Sequence, residues 1–174
     1  MRVGDGLLGK RLGLVRYVVL PESPESAMRA SASRDEVEYA IELVFDSQPV
    51  AISWQMDNEM ECLSVRSHGV EDVISDYSKI IDVSVQSGWG ACVGEELISV
   101  RISRHSPVSA EDNCLWAVAL SFGNAASVTV ALGELVAGMP SYLPDSLVVL
   151  FGKDAAESYR IASSPSSAWG EETA

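Results

Sequence analysis

Apolar and polar positions alternate with a period of two along most of this chain, and the alternating stretches are rich in β-branched and aromatic residues. That pattern belongs to half-buried strands. It predicts strands at LGLVRYVVL (12–20), VEYAIELVF (37–45), VAISWQ (50–55), ECLSVRS (61–67), ELISVRIS (96–103), LWAVALSF (115–122), SVTVALG (127–133) and SLVVLF (146–151). Turn-forming clusters separate them: PESPES, DSQP, HSPVSAEDN, FGN and MPSYLPD. Helical spacing is scarce. EDVISDYSKI (71–80) places Val73, Ile74, Tyr77 and Ile80 on one helical face, and KDAAESYRI (153–161) predicts a turn or two. The small, polar, proline-containing end predicts a flexible tail over 163–174.

The strands repeat themselves. Gly9, Leu12, Val15 and Arg16 fall on Gly94, Leu97, Val100 and Arg101 at an offset of 85. Ala40, Leu43 and Phe45 fall on Ala117, Leu120 and Phe122 at 77; Val50 and Ile52 on Val128 and Val130 at 78; Leu63 and Val65 on Leu147 and Val149 at 84. The blocks keep their order, and the offset changes only within predicted loops, where insertions cost little closure entropy. Chance likeness between half-buried hairpins is the competing explanation.

A duplicated four-strand unit leaves each unit with one bare apolar face, and two such faces can cover each other. The expected fold is therefore mainly β. Two related antiparallel four-strand units form a β-sandwich or a partly open barrel, with one or two short helices. The expected organisation is a single β domain over 1–162, with related halves at about 4–80 and 88–162. Val15, Leu43, Phe45, Ile52, Leu63, Val100, Leu120, Phe122, Val128 and Val149 are the expected core.

Charge narrows the class of partner. The formal net charge is −13, and it is unevenly spread. Residues 1–20 carry four bases and one acid, whereas Glu22 to Lys79 carry thirteen acids against four bases. Such a field repels nucleic acid and anionic membrane and favours a basic protein partner. No apolar run approaches the roughly 20 residues of a membrane helix. Lys10, Arg11 and Arg16 interrupt the N-terminal apolar stretch, so it reads as a strand of a cytoplasmic protein. Cys62, Cys92 and Cys114 are odd in number and far apart, which suits reduced, buried thiols.

Motifs for chemistry are weak. GDGLLG (4–9) has dinucleotide-loop spacing, but such a loop follows a strand and opens a helix, and here a predicted strand comes after it. His105 and Cys114, with Cys62 and Cys92, lack the close ligand pairs of a structural zinc site. The two histidines, His68 and His105, have no Gly-x-Ser-x-Gly nucleophile nearby. No calcium loop is present. Neither a cofactor nor a catalytic role is expected.

The strongest surface feature is acidic. Asp57, Glu59, Glu61, Glu71, Asp72 and Asp76 gather within two short stretches, and alternation would set the first three on one face. A solvated face is the plain reading; a docking surface for a basic protein is the functional one. Trp54, Trp89 and Trp116 are expected as core or edge cover, with Trp169 in the tail.

The stretches GWGACVGEELISVRI, LWAVALSFGNAASVTVALGEL and DSLVVLFGKDAAESYRI resemble small, uncharacterised bacterial β-rich proteins, some similar to the immunity proteins that accompany polymorphic toxins. The resemblance spans about residues 88–161, with an echo over 4–77. It implies an acidic inhibitor of a toxin and transfers no functional residue, because its motifs are structural. The leading expectation is thus a non-catalytic protein-binding module, most concretely an immunity-type inhibitor. A small-ligand-binding β-barrel with a cavity lined by Trp54 and Trp116 is the alternative, and a structural subunit pairing strand edges into a homo-oligomer is the third.

Overall fold

The computed structural model describes residues 6–21, 32–57, 60–72, 78–105, 114–159 and 172–173. The first sheet contains β1 (Leu12–Val19), β3 (Ala40–Phe45), β4 (Gln48–Asp57), β5 (Met60–Arg66) and β6 (Lys79–Asp82), in the order β5-β4-β3-β1-β6. The second contains β2 (Arg34–Val37), β7 (Leu97–His105), β8 (Cys114–Phe122), β9 (Ser127–Leu132), β12 (Leu147–Phe151) and β13 (Glu172–Thr173), in the order β13-β7-β8-β9-β12-β2. A small hairpin, β10 (Glu134–Val136) and β11 (Met139–Ser141), joins β9 to β12. All pairings are antiparallel. The sheets stay open and do not close into a barrel.

The two units follow one plan. Meander β1-β3-β4-β5 corresponds to β7-β8-β9-β12, and the free side of the first strand is flanked by β6 in one unit and β13 in the other. They meet at the antiparallel bridge between Arg11 and Glu96. Around it the backbone bonds come in matched pairs. The Gly9 amide donates to the Leu97 carbonyl (2.9 Å) and the Gly94 amide to that of Leu12 (2.7 Å). The Leu97 amide donates to Lys10 (2.9 Å) and the Leu12 amide to Glu95 (3.0 Å). Gly9 (φ +81°) and Gly94 (φ +89°) supply the left-handed backbone that turns the chain into each first strand. That is the use of GDGLLG and of its counterpart GWGACVG.

All ten expected core residues are buried in one cluster, joined by Leu12, Leu97, Trp89 and Tyr159. Each such large apolar side chain contributes about 1.5–3 kcal/mol. The interior also holds a polar tie. The Tyr17 hydroxyl donates to Asp35 Oδ2 at 2.8 Å and accepts from the Trp89 indole, all three side chains being buried. Burial, reinforced by the Asp35 charge, pushes the Tyr17 hydroxyl well above its ordinary range, so it remains a neutral donor. This tie holds β2 beside β12 across the core from β1.

Several expectations need correcting. The run VEYAIELVF (37–45) is not one strand: the chain breaks at Glu38–Tyr39, where β2 leaves for the second sheet and β3 stays in the first. The helix expected over 71–80 ends in strand, since Lys79 and Ile80 belong to β6; pairing with β1 outweighs the helical spacing. Residues 73–77 lie outside the described residues, and a 3-10 turn occupies Val70–Asp72. Helix α1 (Lys153–Glu157) occurs as expected, burying Ala155 and Ala156. Of the stretch read as a tail, only Glu172–Thr173 is described, and it pairs with Arg101 and Val100.

The cysteines are a further correction. Cys62 and Cys114 form a disulfide, with Cα atoms 5.4 Å apart, and only Cys92 is a free thiol. The partners lie 52 residues apart in sequence, and only the packing of β5 against the start of β8 unites them. Burial, and then the Glu95 charge, raises the Cys92 thiol to about 11, so it stays protonated near neutral pH.

The turns of the two central hairpins differ in chemistry. Asp46 (φ +45°) and Ser47 (φ +69°) form a two-residue loop with both φ positive, which suits Asn-Gly best. Ser47→Gly should therefore stabilise the chain by about 0.5–1 kcal/mol, read as a higher denaturant midpoint with an unchanged slope.

Candidate functional site

β4 outruns β3. Its pairing with β3 ends at Ser53, and from Trp54 to Asp57 its strand partner among the described residues is β5 alone, through Leu63 to Met60. The result is a two-stranded ribbon projecting past the sheet, with the turn at 58–59 lying outside the described residues. An isolated two-stranded ribbon is marginal in water, so this one needs anchors at its base. Trp54 supplies one: its indole donates to the Glu38 carbonyl (3.1 Å) and its ring lies 6.0 Å from that of Tyr39. The Cys62–Cys114 bond supplies the other, fastening β5 to β8.

The ribbon presents Met56, 60% exposed, and the exposed Asp57. Pairing sets Met56 opposite Glu61 and Asp57 opposite Met60. Asp57 and Glu61 thus stand on opposite faces, because Asp57 shares a face with Met60, the neighbour of Glu61 along β5. The ribbon offers a carboxylate beside a methionine on each side. Glu61, half-buried, also lies near Tyr142: burial and then the Glu61 charge raise the Tyr142 hydroxyl above its ordinary value.

The other acidic residues lie elsewhere. Glu61 and Arg66 are roughly 17 Å apart along β5 at about 3.4 Å per residue, and Glu71 and Asp72 follow Arg66 in the 3-10 turn. Glu71 accepts from Arg16 Nη2 at 3.0 Å, and its own backbone amide and Arg16 hold its carboxyl below the usual range. Glu59 and Asp76 lie outside the described residues, as does the side chain of Asp72. One expected acidic surface is therefore two separate places.

Arg16 has a second and deeper partner. Glu42 is fully buried on β3 opposite Arg16 on β1, accepts from the Arg16 guanidinium, and accepts the Val70 amide at 3.0 Å through its other oxygen. Asp82 stands opposite Arg16 on the other side, held below the carboxylate range chiefly by the Ser84 hydroxyl. Glu42 was missed because AIELVF reads as apolar alternation with one charge in it; its single signal was that charge amid buried positions. The buried carboxylate and arginine lock the 3-10 turn over Val18, Ala40 and Ala51. Glu42 and Arg16 thus serve the structure, and the ribbon stands apart from them with the exposed Asp57.

Cys62 and Cys114, weighed above as metal ligands, are bonded to each other, and among the described residues no group of three or more His, Cys, Asp or Glu could hold a metal ion. No described helix is long and apolar enough to cross a membrane. Trp89 and Trp116 are buried, Trp54 is half-buried, and Trp169 lies outside the described residues. No family model, curated protein or solved structure matches the chain.

Proposed function

We propose that this protein is a non-catalytic protein-binding module that docks a basic protein on its acidic ribbon, most concretely as an immunity-type inhibitor of a toxin. The observation that carries the reading is the ribbon's anchored geometry. A projecting acidic hairpin fastened by a disulfide and a tryptophan loses little conformational freedom on binding, so more of its contact energy is kept as affinity. Exposed methionine beside carboxylate suits a partner with lysines and arginines around an apolar centre. The chain's net charge of −13 would speed encounter with such a partner. The Cys62–Cys114 bond weighs against the cytoplasmic setting expected from the sequence and in favour of an oxidising compartment.

The test is titration calorimetry against the product of the adjacent gene, together with its neutralisation on co-expression. Full-length protein should bind it, and Asp57→Lys with Glu61→Lys should weaken binding at least tenfold at an unchanged melting temperature. Absence of binding and neutralisation by the unaltered chain would overturn the reading.

A further inference from the structure

The Cys62–Cys114 bond sits where the ribbon ends and the core begins. Along β5 from the tip, Met60 and Glu61 are half-buried, Cys62 is the first buried position, and Leu63 after it belongs to the core cluster. Cys114 is the first residue of β8, and Trp116, two residues on, is already in the core. From Ser64 onward β5 is held without the bond, because Ser64 pairs with Ser53, which β3 still flanks through Ala40. The bond therefore bears on the ribbon more than on the sandwich.

The two cysteines are 5% and 4% exposed, so a reductant reaches them only when the structure opens locally. The ribbon supplies such an opening. Only the pairs Met56–Glu61 and Asp57–Met60 lie between Cys62 and the tip, and neither has β3 beside it among the described residues. Segments with so few buried contacts open at low free energy. The opening is bounded at Trp54, whose indole is fastened to the Glu38 carbonyl, and at Gln55, whose side-chain oxygen accepts from Arg66. Cys92, the free thiol, is no rival partner. It belongs to the far end of the nine-residue β8, where the Asn124 side chain donates to the Ala91 carbonyl, about 27 Å along the strand from Cys114 at 3.4 Å per residue.

We propose that Cys62–Cys114 is a redox latch on the ribbon: closed, it holds β5 against β8, and opened by a dithiol reductant it leaves the sandwich folded, the ribbon loose and its docking weakened. The latch rests on the reading of the ribbon as the docking element. In the opening step a thiolate of the reductant attacks one cysteine sulfur, the S–S bond breaks, and the departing cysteine takes up a proton. The reductant's second thiolate then attacks its own sulfur in the mixed disulfide and releases the other cysteine, also protonated. Two electrons and two protons pass to Cys62 and Cys114, and the reductant leaves as a disulfide. A loose ribbon must be ordered again on binding, and that cost is taken from its affinity.

The test holds the full chain in buffers of reduced and oxidised dithiothreitol, with the mass gained on alkylation reading the state of the bond. The reduced chain should keep one cooperative thermal transition and the far-ultraviolet circular dichroism of the oxidised one. Amide order parameters at Met56, Asp57, Met60 and Glu61 should fall from about 0.85 to below about 0.6, while those of β3 stay near 0.85, and reoxidation should restore them. Cys62→Ser with Cys114→Ser stands for the open state in calorimetry, so that the partner meets no reductant. It should bind the product of the adjacent gene at least tenfold more weakly than the unaltered chain. A reduced chain that unfolds, or one whose ribbon stays as rigid as before, would overturn the latch. Equal affinity of the double variant and the unaltered chain would overturn it too and leave the docking reading standing. No binding by either would overturn that reading, and the latch's part in docking with it.

Discussion

Reduction of the Cys62–Cys114 bond should lower the stability of this protein by about 4 kcal/mol, the chain-entropy value for a loop of this size. The bond joins β5 at the edge of the first sheet to the beginning of β8 in the second, so opening it removes a side-chain cross-link between the two sheets. The loss should appear as a fall in the denaturant midpoint on adding dithiothreitol, and the double change Cys62→Ser, Cys114→Ser should reproduce it. A double variant as stable as the oxidised chain would mean that packing alone holds β5 against β8. The same comparison bears on the ribbon: reduction should speed exchange of the Met60–Leu63 amides more than those of β3, because only the ribbon depends on the bond for its footing.

The second large effect concerns Arg16 and Glu42, and its size depends on which partner is removed. Arg16→Leu strands a fully buried carboxylate, and an uncompensated buried charge costs about 3–5 kcal/mol. Glu42→Gln keeps an acceptor for the Val70 amide and leaves Arg16 partly exposed beside Glu71, so it should cost about 1–2 kcal/mol. Changing both to leucine should cost less than Arg16→Leu alone, because no charge then remains buried. With Glu42→Leu as the second single change, denaturant midpoints close a double-mutant cycle. Equal costs for the two single changes would show that Glu42 is not committed to Arg16.

Period-two alternation made most of the architecture legible. Strand positions, the buried face of each strand and the repeat were all visible in residues such as Leu43, Phe45, Leu120 and Phe122, because burial on one face writes itself into every second residue. What stayed hidden needed two distant segments at once. Cys62 and Cys114 have nothing between them to announce their meeting, and the match between Arg16 and Glu42 exists only in the register of β1 with β3. The break at Glu38–Tyr39 was masked because β2 and β3 are both strands, in different sheets, and alternation carries no label for the sheet. The acidic cluster was half legible. Its composition was plain, but the register of β4 with β5 sets Asp57 and Glu61 on opposite faces, and Arg16 claims Glu71.

The crossing of β2 has a consequence for how the chain is made. Val37 pairs with Leu147, and Arg34 with Leu150, so the edge of the second sheet is built from one of the first strands to be synthesised and one of the last. On a ribosome the N-terminal unit can assemble its meander early, while β2, with the carboxylate of Asp35, must wait without its neighbour until β12 emerges. Pairings between such distant segments slow folding, and the waiting strand is an exposed edge throughout. The tie from Tyr17 to Asp35 spares it part of that exposure, because β1 and β2 are both made early and can join before the strand they serve exists.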